Sequence, residues 1–114
     1  MAIAKEKGIE FVSAAQQDEY EMVLKASNGD IIALEHIITK YKNFVKAKAK
    51  SYFLVGADKE DIIQEGMIGL YKAIRDFDGS KTNSFKCFAE ICITRQIITA
   101  IKIKVYANTW FKLI

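Results

Sequence analysis

Three segments of the chain carry most of its charge, and the chemistry that they could do is binding. Residues 58–65 contain four acids and one lysine, whereas residues 81–114 contain six basic residues and one glutamate. Residues 40–50 add five lysines and no acid. Charges separated in this way predict a basic partner for the acidic segment and an anionic partner for the C-terminal half. The alternative is that these segments are solvated helix faces without a partner.

The sequence offers little material for catalysis. It contains one histidine, His36, and two cysteines, Cys87 and Cys92, without companion metal ligands. It has no glycine-rich phosphate loop and no nucleophile–base pair, and we interpret Asp61 and Glu65 as interface residues rather than as a general acid and base. The sequence therefore predicts a protein that is not an enzyme, with no cofactor, no metal site and two reduced, buried thiols.

Composition narrows the class of protein further. The 114 residues suffice for one domain, and 51% hydrophobic with 27% charged residues is an ordinary globular composition. Six glycines and no proline favour long helices over an all-β fold. No apolar stretch approaches the roughly 20 residues of a membrane span, and Lys5, Glu6 and Lys7 interrupt the N-terminus where a signal peptide needs an apolar run. We expect a cytoplasmic protein.

Capping and turn residues define the first two helices. Asp18 with Glu21 predicts a capping box for a short first helix, which Asn28–Gly29 ends. The second helix is predicted from Asp30 to about Leu54, because apolar residues recur there with a period of 3.6. These residues are Ile31, Leu34, Ile37, Ile38, Tyr41, Val45, Ala49 and Tyr52.

Two further helices complete the predicted fold. The third runs from Asp58 to Phe77, and the fourth runs from Ser84 past Lys104, with turn residues between them. The fold class is therefore all-α, a compact bundle of three main helices plus a short N-terminal helix. Residues 1–17 show no clear periodicity, and we expect a mobile leader there.

The third helix has two unlike faces. One side is apolar at 100° per residue and is the predicted core side, with Ile63, Gly66, Met67, Leu70, Ile74 and Phe77. The opposite side carries Asp61, Gln64, Glu65, Ile68, Lys72 and Arg75. An apolar residue inside a polar rim is typical of a partner-binding surface. A single exposed isoleucine is also common without any partner, so the geometry leaves both interpretations open.

The fourth helix is apolar almost all round. One side can close the core, with Phe85, Ala89, Ile93, Gln96, Ile97 and Ala100. The other side begins with an aromatic ring and ends with basic and hydroxyl groups, at Phe88, Ile91, Cys92, Arg95, Thr99 and Lys102. Bases could stack on the ring while the basic end reads base edges or neutralises phosphate. Alternatively, Phe88 and Ile91 pack against the second helix, and the spacing alone favours that interpretation.

Several runs of sequence resemble domain two of bacterial RNA polymerase sigma factors. They are DIIQEGMIGLYKAIRDF at 61–77, SFKCFA at 84–89 and ITRQIITAIK at 93–102. Upstream, IITKYKNFV at 37–45 resembles the preceding helix of that domain, and AKAKSYFLVGAD at 47–58 is especially similar to the sporulation and competence sigma-H type. The resemblance covers about residues 18–104. A D-x-x-Q-E-G motif followed at this spacing by a Phe-rich turn and a basic helix is a specific signal.

The resemblance implies a sigma factor that binds core RNA polymerase and that recognises and melts the −10 promoter element. In the family, the third helix docks on the coiled coil of the β′ subunit, the clamp helices. The residues here that match this site or lie beside it are Asp61, Gln64, Glu65, Ile68 and Tyr71. An acidic face with an apolar anchor would suit a basic coiled coil.

The resemblance also implies two DNA-binding surfaces. The family captures a flipped non-template base in an aromatic pocket, which implies a single-strand surface of Phe77, Lys81, Phe85, Lys86 and Phe88. The family reads bases from the fourth helix, which implies a duplex surface of Arg95, Gln96, Thr99 and Lys102. An aromatic contact returns about 1–3 kcal/mol per base, so trapping a flipped base can melt DNA without fuel.

The chain departs from the family's pattern in three places, one of which is Asn83, where a housekeeping sigma factor has an aromatic residue. Ile91 and Cys92 stand where housekeeping sigma factors carry a tryptophan wedge, which favours stringent promoter choice. Residues 105–114 form an atypical tail instead of the linker and helix-turn-helix domain that follow in the family. Two alternatives therefore stay open: a truncated interaction or decoy module that binds polymerase without opening promoters, and a general DNA-binding regulatory module. An anti-sigma factor is kept as a candidate partner, and no membrane is expected.

Overall fold

The protein folds into four α-helices in the residues that its structure, a computed structural model, describes: 14–53, 58–80 and 84–113. They are α1 (Ala14–Ser27), α2 (Ile31–Lys50), α3 (Lys59–Asp76) and α4 (Phe85–Leu113). These described ranges contain no β-strand. The predicted all-α bundle of three main helices plus a short N-terminal helix is confirmed.

Side-chain caps set the starts of the three main helices. The carboxylate of Asp30 accepts a hydrogen bond from the backbone N–H of Ala33 at 3.1 Å, and that of Asp58 accepts one from Glu60 at 2.9 Å. The hydroxyl of Ser84 accepts a backbone N–H three residues further on, at 3.2 Å. Each cap satisfies a donor that has no partner inside the helix. The predicted starts of these three helices, at Asp30, Asp58 and Ser84, are confirmed.

A glycine turn separates α1 from α2. Gly29 has a φ of +101°, which costs a residue without a Cβ little. Its N–H donates to the carbonyl of Ala26 at 3.2 Å, and the N–H of Asp30 donates to the carbonyl of Lys25 at 3.0 Å. This pair of bonds is a Schellman motif, so the predicted stop at Asn28–Gly29 is confirmed.

Two predicted helix boundaries are wrong. α1 begins at Ala14, and Asp18 lies inside the helix instead of capping it. Alanine and glutamine at 14–17 are strong helix formers and extend α1 by a turn. α2 ends at Lys50, and residues 51–53 form a turn rather than its continuation. Residues 1–13 of the predicted leader and Leu54 lie outside the described residues.

The core lies along α3, which packs between α2 and α4, while α1 packs on α2 and α3. The buried apolar residues are Val23, Ala26, Ala33, Ile37, Tyr41, Val45, Ala49, Ile62, Leu70, Ala73, Ile74, Phe77, Phe85, Ala89, Ile93 and Ile97. No polar or charged side chain is buried among the residues that the structure describes. In the same residues, no helix is long and apolar enough to cross a membrane.

The backbones of α3 and α4 pack closely against each other at Gly69. A Cβ placed on Gly69 would lie 2.7 Å from the Cα of Ile93, so only glycine fits there. This approach turns α3 slightly from the predicted orientation: Ile62 is buried, whereas Ile63 and Met67 lie at the edge of the core. It also brings the outer face of α3 next to α4.

Candidate functional site

The outer face of α3 presents the predicted acidic and apolar residues together. Asp61 and Gln64 are exposed and Glu65 is half-buried. One to two turns later, Ile68 is 43% exposed and Tyr71 is 50% exposed. Residues spaced by three, four and seven positions share one side of a helix, so these residues form one strip that combines carboxylates with accessible apolar surface.

A groove of about 190 Å³ lies beside this strip, between α3 and α4. The α3 side supplies Asp61, Gln64 and Glu65, and the α4 side supplies mainly apolar surface. The whole lining is Asp61, Ile62, Gln64, Glu65, Ile97, Ala100, Ile101 and Lys104. An apolar floor under an acidic rim fits a long basic side chain, because its methylene groups can pack while its charge meets the carboxylates.

A second hollow, of about 180 Å³, lies at the other end of the strip, where Tyr71 meets the turn between α1 and α2. Ile31, one of the periodic apolar residues of α2, lines it and is 71% exposed. In the first turn of α2 the buried residue is Ala33. Arg75 also lines the hollow and donates two hydrogen bonds, of 2.7 and 2.9 Å, to the carboxylate of Asp76. These bonds hold the pKa of Asp76 below its usual value.

The aromatic residues of the predicted single-strand surface form a packed cluster. The rings of Phe77 and Phe85 lie 5.3 Å apart and edge to face, and Tyr41 lies 5.5 Å from Phe85. Phe77 and Phe85 are only 8% and 3% exposed. Phe88 lies 5.9 Å from Phe77 and is half-buried. Of these three phenylalanines, Phe88 is the most accessible, and Phe77 packs beside it.

Basic side chains border this cluster on the α2 side. The ammonium of Lys86 lies 5.4 Å from the ring centre of Phe44, and that of Lys48 lies 5.9 Å from the same ring. Lys48 also pairs with Glu90 at 3.1 Å. The sequence shows a lysine-rich stretch there, but it does not predict a role for Phe44 or Lys48, because their proximity to α4 depends on tertiary packing. Lys81 lies outside the described residues.

The second side of α4 is accessible. Arg95, Thr99 and Lys102 are exposed, and Ile91 is 49% exposed. The alternative that Phe88 and Ile91 are core residues is wrong for Ile91, whereas Phe88 is half-buried and packs against the core. Cys92, on the same side, is half-buried, and burial raises the pKa of its thiol.

Other chemistry-bearing side chains lie apart from these faces. Cys87 is exposed, so the prediction of two buried thiols is wrong. His36 is exposed on α2. Among the described residues, no group of three or more His, Cys, Asp or Glu side chains could hold a metal ion.

Gln96 differs from its neighbours on α4. Its side-chain nitrogen donates to a carboxylate oxygen of Glu65 at 2.8 Å. Its side-chain oxygen accepts from the ammonium of Lys72, also at 2.8 Å. The structure therefore joins Gln96 to the α3 strip, whereas Arg95 and Thr99 remain exposed.

The described residues therefore form a helical domain with two unlike surfaces, an acidic, partly apolar strip on α3 and an aromatic and basic face on α4. A family model described as Sigma-70 region 2 matches residues 37–104, more than half of the chain. The chain belongs to the sigma-70 region 2 family.

Relatives within the family are bacterial sigma factors. Over 87 residues, or 76% of this chain, it is 66% identical to the RNA polymerase sigma-H factor of Bacillus subtilis (strain 168). The identity to the RNA polymerase sigma-H factor of Bacillus licheniformis is 64% over 87 residues. The chain is 45% identical to the RNA polymerase sigma-B factor of Bacillus anthracis over 65 residues, which cover 57% of this chain and 25% of that protein. The chain spans 40% and 39% of the length of the two sigma-H factors.

Proposed function

We propose that this domain acts in transcription initiation as the part of a sigma factor that binds core RNA polymerase and recognises and melts the −10 promoter element. The observation that carries the proposal is the pair of unlike faces on α3 and α4, in a chain of the sigma-70 region 2 family. The identity of 66% to a sigma-H factor supports the sigma-H type.

Core polymerase binds the strip on α3 in this proposal, through the coiled coil of its β′ subunit. Asp61, Gln64 and Glu65 supply carboxylate and amide groups, and Ile68 and Tyr71 supply apolar anchors. A basic residue of the coiled coil enters the groove between α3 and α4, where these three polar side chains form the rim. Exposed charges steer the approach, while the partly buried anchors supply most of the affinity.

The non-template strand binds at the aromatic cluster. Phe88 offers the stacking surface, Phe77 packs beside it, and Phe85 packs against Phe77. Lys81 and Lys86 meet the phosphates of the strand. Stacking is worth about 1–3 kcal/mol per base, which is comparable to the cost of unstacking it from the duplex. The protein therefore melts DNA by holding an open state that forms by thermal motion.

Duplex DNA just upstream meets the exposed side of α4. Arg95, Thr99 and Lys102 are spaced by four and then three residues and form one line of donors. Arginine suits a bidentate contact with guanine, and threonine can meet a base edge or a thymine methyl. Lysine has no such geometric preference and contacts phosphate.

The test is binding of the full chain to a single-stranded −10 non-template oligonucleotide, with and without core polymerase. The chain should bind core polymerase in the absence of DNA. It should bind the oligonucleotide only when core polymerase is present, and Phe88→Ala should lower that oligonucleotide affinity about tenfold or more. Tyr106→Ala, an exposed aromatic residue of α4 without an assigned role, is the matched control and should bind like the parent.

Two other outcomes would replace the proposal. Binding to core without any capture of the oligonucleotide would identify a decoy or interaction module. Equal binding to DNA with and without core would identify a general DNA-binding module. Circular dichroism of each variant shows whether it is folded, because truncating a buried phenylalanine costs about 3–5 kcal/mol.

A further inference from the structure

Gln96 lies on the helix proposed to contact promoter DNA, yet both polar atoms of its side chain are bonded to α3. The nitrogen donates to Glu65 and the oxygen accepts from Lys72, each at 2.8 Å. The two partners fix the orientation of the amide. Turning it over would set its oxygen against a carboxylate and its N–H groups against an ammonium.

The bridge joins two charges that are too far apart to pair easily by themselves. Glu65 and Lys72 are seven residues apart on α3, a rise of about 10 Å along the axis. The amide of Gln96 stands between them and bonds to both, so α4 holds in place Glu65 of the α3 strip and the adjacent Lys72. Bonds to ionised groups are the stronger class of hydrogen bond.

A glutamine that reads a base has to release these partners. Glutamine recognises adenine with both polar atoms of its amide at once. In this protein such a contact would break two charge-assisted bonds and leave the half-buried Glu65 without its donor from α4. Arg95 and Thr99 are exposed on the same helix and could contact a base without this cost.

We infer that Gln96 is a positioning residue of the polymerase-binding strip and not a reader of promoter bases. It holds one oxygen of the Glu65 carboxylate, so that the orientation of this group is set before a partner arrives. A side chain that is already ordered loses less conformational freedom on binding. This inference rests on the proposed function, because it needs Glu65 to contact polymerase.

The experiment is a double-mutant cycle on the affinity of the full chain for core polymerase. Gln96→Ala should weaken binding about threefold to tenfold. Gln96→Glu should weaken it more, because it sets a second carboxylate against Glu65. In a Glu65→Ala background, Gln96→Ala should have no further effect, since the group that it positions is gone. Ile103→Ala, an exposed residue of the same helix, is the matched control and should bind like the parent.

A panel of promoters with single base substitutions provides the second readout. The inference predicts that Gln96→Ala lowers binding to every promoter by the same factor and leaves base preference unchanged. A changed preference at one position, with unaltered affinity for core, would overturn it. An equal loss of core affinity in the parent and in the Glu65→Ala background would also overturn it, because Gln96 would then act only on the fold.

The cycle separates this inference from the proposed function. If Glu65→Ala binds core as tightly as the parent does, the polymerase-binding strip itself is wrong, and the inference falls with it. If Glu65→Ala weakens binding and Gln96→Ala does not, only the inference is wrong. Gln96→Met preserves the length and apolar stem of the side chain and repeats the test if the alanine variant does not fold.

Discussion

Replacing Gly69 with alanine should destabilise the domain, although alanine is the better helix former. In an exposed helix the exchange would stabilise by about 1 kcal/mol. Here the new Cβ would lie 2.7 Å from the Cα of Ile93 and 2.8 Å from the carbonyl oxygen of Cys92. Both are backbone atoms of α4, so no change of rotamer can relieve the contact.

The size of the effect follows from these distances. Ordinary contact begins near 3.4 Å, so α3 and α4 have to separate by about 0.7 Å at this point. Overpacking of this kind lowers the free energy of unfolding by about 1–3 kcal/mol. A contact with backbone atoms belongs at the upper end of this range. After the gain in helix propensity, we expect a net loss of about 1–2 kcal/mol. For a domain near this size, that lowers Tm by roughly 5–15 °C.

Thermal and urea unfolding followed by circular dichroism measure the loss, and Gly66→Ala gives a matched comparison. Its Cβ would lie 2.7 Å from a methyl carbon of Val45, which is a side-chain atom. In a Val45→Ala background that methyl is absent, so adding Gly66→Ala should cost little. No side-chain truncation should rescue Gly69→Ala. A Gly69→Ala variant as stable as the parent would refute the close packing of α3 on α4.

Three further predictions concern the capping, the core and the thiols. Asp30→Ala should lower the free energy of unfolding by about 1 kcal/mol, because it removes the cap of α2; an unchanged urea midpoint would contradict the cap. Tyr41→Phe should cost about 1–2 kcal/mol, since the Tyr41 hydroxyl donates to Glu19 at 2.8 Å; a more stable variant would show that this bond has no net value. Cys87 should react with a thiol reagent before Cys92, because Cys87 is exposed and burial raises the pKa of Cys92 and so lowers its thiolate fraction at neutral pH. Equal rates by mass spectrometry would contradict the difference in burial.

Features that depend on a few neighbouring residues could be predicted from the sequence. Asp30, Asp58 and Ser84 cap helices because their side chains reach backbone groups two or three residues away. Gly29 ends α1 for a similarly local reason. The start of α1 was missed because helix propensity before Asp18 outweighed the capping signal.

Features that depend on tertiary packing could not be predicted in this way. The helical period alone could not distinguish Ile31 from Ala33 as the residue that faces the core, since that depends on how α2 meets α3. The bond between Gln96 and Glu65 joins residues 31 positions apart. Helical periodicity placed Gln96 at the edge of the core side, but it carries no information about which polar group lies across the interface.

The most direct test of the central claim is the affinity of the full chain for core polymerase without DNA, compared between the parent and Glu65→Lys. Glu35→Lys makes the same charge reversal at an exposed position of α2 and controls for the change in net charge. The parent and Glu35→Lys should bind core polymerase with the same affinity. Glu65→Lys should weaken the free energy of binding to core polymerase by about 2 kcal/mol or more, which raises Kd roughly thirtyfold. Equal affinity of a folded Glu65→Lys variant and the parent would contradict the claim that the outer face of α3 binds polymerase.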